Sequence, residues 1–306
     1  MMTQYKESVK FNAGELLRSF RVVNNKFTKG MLQFIVARKN MKQRVITAVV
    51  ALLVFLPLLY LGGLPFDILI TVLGLVAMSE FLIMKKKLLV SVEAILSFLM
   101  MLAVLVPVFF EGFLTQGNLG GSFYFFALAM LVYTVFSKNR FSFDDAGVLV
   151  LGALYAGLGF RFMILARAES LWMMLYALLI VWITDSGAYL IGRKLGKHKL
   201  APHVSPNKTW EGSIGGTLSA VVIVGIYLYF VQAQFPTSFP YDFTRMLLLT
   251  LVFSVGGQLG DLIESALKRY YGVKDSGKIL PGHGGILDRF DSLLFVLPLM
   301  HFAGLI

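Results

Sequence analysis

SLWMMLYALLIVWITDSGAYLIGRKLGK, residues 170–197, carries two messages in one run. From Leu171 to Thr184 no side chain is charged. At ~1.5 Å per helical residue, the run 170–191 is long enough to cross a hydrocarbon core roughly 30 Å thick. Asp185 then appears before the apolar pattern ends, and Arg193, Lys194 and Lys197 follow with Gly192 and Gly196 among them. This is the pattern of a membrane-crossing helix whose end bears polar chemistry, because ionisable groups at membrane depth are expensive and usually functional.

Eight further apolar stretches resemble this one in length. They lie near 45–61, 66–84, 92–110, 122–137 and 146–160 on one side, and near 212–231, 246–263 and 291–305 on the other. Backbone groups facing lipid must be satisfied within their own segment, so each stretch is predicted helical. The expected fold is an all-α polytopic membrane protein of about nine transmembrane helices. Composition agrees: the 306 residues are 57% apolar and 15% charged, against about 25% charged in soluble domains. The chain contains no cysteine, which excludes disulfides, thiolate metal sites and cysteine nucleophiles.

Lys and Arg set the orientation. With a cytoplasmic N-terminus, 25 of the 28 basic residues fall on inner segments, leaving Arg161, Arg167 and Arg245 outside. An odd number of spans then puts the C-terminus outside. The net charge of +11 is on this reading a topology signal and an attraction to anionic lipid headgroups, not a sign of nucleic-acid binding. Three regions follow: a basic segment 1–40, a membrane region 41–169, and a region 170–306 that holds the chemistry. Residues 1–40 carry Leu16, Leu17, Phe20 and Val23 at helical spacing. They suit a helix lying on the membrane surface, or an extension ahead of a natural start at Met41.

Two polar blocks, 185–216 and 258–291, face the cytoplasm in this topology and invite a site between them. In the first, Asp185, Tyr189 and Arg193 fall four apart on one helical face. The loop beyond them, with Lys197 and Lys208, has the cations and close-approach glycines that a polyphosphate needs. Ser205-Pro206 followed by Lys208, Thr209 and Glu211 has the look of a helix start able to receive phosphate. A solvated basic loop ahead of a capped helix is the plainer alternative.

The second block opens with Asp261, Glu264 and Lys268 on one face at i, i+3 and i+7, either a salt bridge at the interface or part of a site. Lys274 and Asp275 precede Pro281-Gly282-His283-Gly284-Gly285, and then Asp288, Arg289 and Asp291. Asp288 and Asp291 stand three apart at the start of the last span. Two unpaired carboxylates that close raise each other's pKa, so a bound cation is the expected compensation. An oxygen-only donor set points to Mg²⁺ or a similar hard ion. His283 suits a phosphate contact or a structural role. Gly212/Gly216 and Gly256/Gly260 read as close helix packing.

The run Ser265-x-x-Lys268-Arg269-x₄-Lys274-Asp275-x₅-Pro281-x-His283-Gly284-Gly285-x-x-Asp288-Arg289-x-Asp291 closely resembles the signature of phosphatidate cytidylyltransferases (CDP-diacylglycerol synthases). The segment from Asp185 through Lys197 to Ser205-Pro206-x-Lys208-Thr209-Trp210-Glu211-Gly212 is similar to a second block of that family. The resemblance implies a multi-pass enzyme of the inner (cytoplasmic) membrane, usually a homodimer, with its active site facing the cytoplasm. It converts CTP and phosphatidate to CDP-diacylglycerol and pyrophosphate with Mg²⁺, with a second cation left open. Carried over, Asp288 and Asp291 are metal ligands supported by Asp261. Lys208, Lys268, Arg269, Lys274 and Arg289 bind phosphates, and His283-Gly284-Gly285 shapes the nucleotide loop.

The chemistry suits those residue types. Reactants and leaving group are all anionic, so catalysis is charge neutralisation and positioning, and the phosphate nucleophile needs no serine–histidine machinery. A CTP-dependent lipid kinase of the polyprenol type is the alternative enzyme. A CDP-alcohol phosphatidyltransferase is opposed by the lack of an Asp-Gly-x₂-Ala-Arg run, and an ATPase by the lack of a G-x₄-G-K-[ST] loop. A solute transporter would place cations along a mid-membrane path rather than at one face.

Overall fold

The computed structural model describes residues 43–110, 119–138 and 140–306. The N-terminal segment 1–40 and its two readings lie outside the described residues. By its contacts the chain forms two units, Met1–Ala51 and Leu52–Ile306. Of the first, only the beginning of helix α1 (Gln43–Leu61) is described.

The second unit continues α1 and adds α2 (Gly63–Met84), α3 (Val92–Leu105), α4 (Leu119–Phe136), α5 (Phe143–Glu169) and α6 (Leu171–Leu195). A hairpin of β1 (Lys199–Ala201) and β2 (Ser205–Thr209) follows, then α7 (Trp210–Gln234), α8 (Phe243–Tyr270), a one-turn α9 (Leu287–Phe290) and α10 (Leu293–Phe302). Six of these helices are long and apolar enough to cross a membrane, and three more are shorter apolar helices. The protein is a helical, polytopic membrane protein, and every expected apolar stretch contains a helix.

The lengths differ where side chains extend or end a helix. α5 outruns the expected 146–160 because Arg161 and Arg167 do not mark a loop. Arg161 donates to the carbonyl of Val104 at 3.3 Å, and Arg167 to those of Leu59 and Tyr60 at 2.6 and 2.9 Å. Both thus satisfy carbonyls that helix C-termini leave without partners. α3 stops at Leu105, where Pro107 disfavours helical backbone in Val106 and opens a 3₁₀ turn over Pro107–Phe110. The last helix has ten residues rather than the stretch 291–305, since residues 287–292 are spent on α9 and the turn around Asp291. The β1–β2 hairpin qualifies the all-α expectation: Ser205-Pro206 opens a strand, and the helix starts only after Thr209, whose side chain caps Gly212 N–H at 3.1 Å.

α5 packs against α2, α3 and α10, and α10 in turn lies on α8. α6 and α7 pack backbone against backbone, since a Cβ on Gly212 or Gly216 would run into the Ala188 or Thr184 carbonyl of α6. A Cβ on Gly256 or Gly260 would likewise meet Leu299 or the Asp291 carbonyl. Both small-residue pairs are therefore packing surfaces, as expected, and the second brings Asp261 against Asp291.

Candidate active site

A cleft of about 720 Å³ opens where the end of α6, the hairpin, the start of α7, the end of α8 and residues 274–291 meet. Asp185, Tyr189 and Arg193 all line it from one face of α6, and Arg193 donates to the Tyr189 hydroxyl at 3.4 Å. The hairpin is held in place from two helices. Glu211 of α7 accepts the backbone N–H groups of Lys197 and His198 at 3.1 and 3.2 Å and contacts the His198 ring at 2.5 Å. From α8, Arg269 Nε donates to the Val204 carbonyl at 3.3 Å. So held, β2 delivers Lys208 to within 2.7 Å of Asp261.

Asp288 and Asp291 point to different partners, which corrects the expectation of two unpaired carboxylates facing each other. Asp288 Oδ1 lies 2.6 Å from Lys268 Nζ, and Oδ2 accepts from Ser276 N, Ser276 Oγ and Gly285 N at 2.8, 2.9 and 2.8 Å. Burial opposes ionisation, but the Lys268 ammonium and the two backbone donors prevail and hold the Asp288 carboxyl below its ordinary value. Lys268 also pairs with the buried Glu264, so in this state it bridges two carboxylates rather than standing free for phosphate. Among the described residues the Asp291 carboxylate accepts the Ser292 N–H at 2.6 Å and no other donor, and it lies in the field of Asp261 and Asp185.

Of the residues singled out from the sequence, Asp185, Lys208, Thr209, Asp261, Lys268, Arg269, Lys274, Asp275, Asp288, Arg289 and Asp291 line this one cleft. Lys197, Ser205, Glu264, His283, Gly284 and Gly285 lie outside its lining. The two glycines still shape it. Gly284 adopts φ +85°, and a Cβ on Gly285 would collide with Ser276 Oγ and the carboxylate of Glu80. Asn207, Ser213 and Gln258 also line the cleft, and nothing in their spacing distinguishes them from ordinary helix and loop polar residues.

Glu80, a carboxylate near the inner end of the second apolar stretch, is the residue to which the sequence alone assigns no role. Fully buried on α2, it accepts from Ile286 N and Leu287 N at 2.8 and 3.0 Å, with the Ser276 hydroxyl, shared with Asp288, 3.1 Å away. The available signal was a carboxylate inside an otherwise apolar span. Among the described residues no three acidic or histidine side chains form a ready metal cage. Asp185, Asp261 and Asp291 nevertheless give the cleft an all-oxygen acidic side suited to a hard cation.

The family model for the cytidylyltransferase family matches residues 42–306. The chain belongs to the cytidylyltransferase family. It is 46% identical over 261 residues to the phosphatidate cytidylyltransferase of Staphylococcus haemolyticus, covering 85% of this chain and 98% of that protein. It is 48% identical over 267 residues to that of Bacillus subtilis, covering 86% and 97%. To that of Staphylococcus aureus it is 48% identical over 261 residues, covering 85% and 98%. Family membership thus extends across all the described helices, well beyond the two polar blocks that suggested it.

Proposed function

We propose that the protein transfers the cytidylyl group of CTP to phosphatidate, giving CDP-diacylglycerol and pyrophosphate. The observation that carries this reading is the cleft at the ends of membrane helices that Asp185, Asp261 and Asp291 line together with Lys208, Arg269, Lys274 and Arg289. One substrate is water-soluble and the other is anchored in lipid, so a polar cleft at helix ends suits both. A phosphate oxygen of phosphatidate attacks the α-phosphorus of CTP, a new P–O bond forms, and the bond to the pyrophosphate oxygen breaks. Lys208, Arg269, Lys274 and Arg289 neutralise phosphate charge and hold attacking and leaving groups in line. Phosphatidate is already anionic near pH 7, so no side chain has to remove a proton.

Asp261 and Asp291, with Asp185 beside them, are the residues that would hold Mg²⁺. Asp288 can join only by exchanging one of its present partners. Bound there, the ion supplies further neutralisation of the nucleotide's phosphates. The strong bias of Lys and Arg to one set of loops, the cleft's own among them, supports a cytoplasmic opening. The homodimer implied by the sequence resemblance belongs to the same proposal. The test uses purified protein in phosphatidate-containing micelles with CTP labelled at the α- or the γ-phosphate. Label from the α position should enter lipid and label from the γ position should leave as pyrophosphate. Entry of the γ label into lipid would make the protein a lipid kinase instead.

A further inference from the structure

Burying a carboxylate in an apolar helix is costly unless its oxygens are satisfied. Glu80 has no ion-pair partner among the described residues, so a helix salt bridge does not account for it. Its partners are instead the N–H groups of Ile286 and Leu287, where α9 begins. Ile286, at the cap position of α9, offers no capping side chain, so the acceptor for those N–H groups comes from α2, some 206 residues earlier in the chain.

The next donor back along the backbone, Gly285 N–H, goes to Asp288. Three consecutive N–H groups are thus divided between two carboxylates, one reaching in from α2 and one lining the cleft. The Ser276 hydroxyl lies between the same two, 3.1 Å from Glu80 and 2.9 Å from Asp288. The chain closes tightly round this arrangement: a Cβ on Gly277 or Gly285 would strike the Glu80 carboxylate.

We infer that Glu80 is a positioning residue for the transfer reaction: through the 285–287 backbone and Ser276 it fixes the direction of the Asp288 carboxylate, and with it Lys268. The kinetic part of this inference rests on the function proposed above. Glu80 does not touch the cleft itself. Without it the 286 and 287 N–H groups lose their acceptor, the turn is free to rotate, and Asp288 loses the Gly285 donor that aims it. Outer residues that orient a charged site typically change activity or metal affinity by about 10–100-fold.

The test uses full-length protein in lipid nanodiscs and the variants Glu80→Gln, Glu80→Asp, Ser276→Ala and Glu80→Gln/Ser276→Ala. Gln matches Glu in size but presents an amide donor where an acceptor is required, whereas Asp keeps the charge and is one methylene short. Kinetics are read well below each variant's unfolding temperature, and hydrogen exchange is followed at the 285–287 amides. Glu80→Gln should lower kcat about 10–100-fold with KM for CTP changed less than about threefold. The double variant should be no slower than the slower single one, because both residues act on one turn. Exchange should rise locally at 285–287 in Glu80→Asp.

A folded Glu80→Gln with wild-type kcat, or single losses that multiply in the double variant, would overturn the inference. If Glu80→Gln does not fold, Glu80→Asp decides: unchanged exchange at 285–287 refutes the positioning role. That exchange measurement needs no activity. Absence of α-label transfer by the wild type would therefore sink the proposed reaction while leaving this reading of Glu80 separately testable.

Discussion

Replacing Asp288 by Asn should destabilise the protein and replacing Asp291 by Asn should not, although the two residues stand three apart. Asp288 is held by Lys268 at 2.6 Å and by three further donors at 2.8–2.9 Å, with its side chain 5% exposed. Hydrogen bonds to a charged group contribute about 1.5–3 kcal/mol, and breaking a buried ion pair costs about 3–5 kcal/mol. These figures describe overlapping contacts and do not add, so Asp288→Asn should destabilise by roughly 3 kcal/mol. In thermal unfolding of detergent-solubilised protein, that corresponds to a Tm lower by roughly 6–12 °C. Asp291→Asn removes a charge that has one neighbouring N–H donor and is repelled by Asp261 and Asp185, so Tm should hold or rise. The Asp288 carboxyl titrates below its ordinary 3.8. Its contribution is therefore complete above about pH 4 and fades as pH falls further, and the gap between wild type and Asp288→Asn should close in that acid range. Equal Tm losses for the two variants, or a loss under 2 °C for Asp288→Asn, would refute the assigned partners.

Lys208→Ala should lower kcat/KM for CTP about 10–100-fold, the equivalent of one charged phosphate contact, read from initial rates at varied CTP. Gly216→Val should force apart α6 and α7, whose backbones leave no room for a side chain. A cost of about 1–3 kcal/mol should appear as a lower Tm, with kcat at low temperature less affected. Asp261→Asn should abolish Mg²⁺-dependent turnover while the protein stays folded by size-exclusion chromatography. Removing residues 1–40 should leave kcat/KM largely intact. A dead but well-inserted truncation would show that the basic segment takes part in activity.

The helices were legible because lipid requires long uninterrupted apolar runs, and such runs are hard to mistake. Their ends were less so. Arg161 and Arg167 read as loop charges, yet each reaches back to the carbonyls of a neighbouring helix, a contact that only the tertiary fold supplies. The cleft was largely legible too, since acidic and basic residues clustered at two places in an apolar chain have few alternatives to meeting. Pairing was not. Spacing places Asp288 and Asp291 on one turn, but Gly285 and Ser276 draw the first aside while close packing at Gly260 sets the second beside Asp261. Glu80 was visible only as an oddity, because its partners are backbone N–H groups and carry no side-chain signature.

The two ion-paired groups of this region, Lys208 with Asp261 and Lys268 with Glu264 and Asp288, differ in a way that bears on the reaction. Lys208 and Asp261 are 25% and 31% exposed, and among the described residues each has one opposite charge within ion-pair distance. A metal–nucleotide complex offers phosphate to the lysine and a cation to the aspartate, so both partners can be exchanged at once with neither left uncompensated. The Lys268 group is built otherwise. There one cation at 14% exposure serves two carboxylates at 1% and 5%, and Asp288 is further tied to the backbone. Withdrawing Lys268 toward a phosphate would strand the buried Asp288 charge and leave the buried Glu264 carboxyl without its partner, a cost of several kcal/mol that a single phosphate contact does not repay. On the proposed function, the exposed pair is therefore the one that opens to substrate. On the same reading the buried triad would stay closed through the cycle and keep the wall of the cleft in shape, which is how a tether as remote as Glu80 would affect the rate.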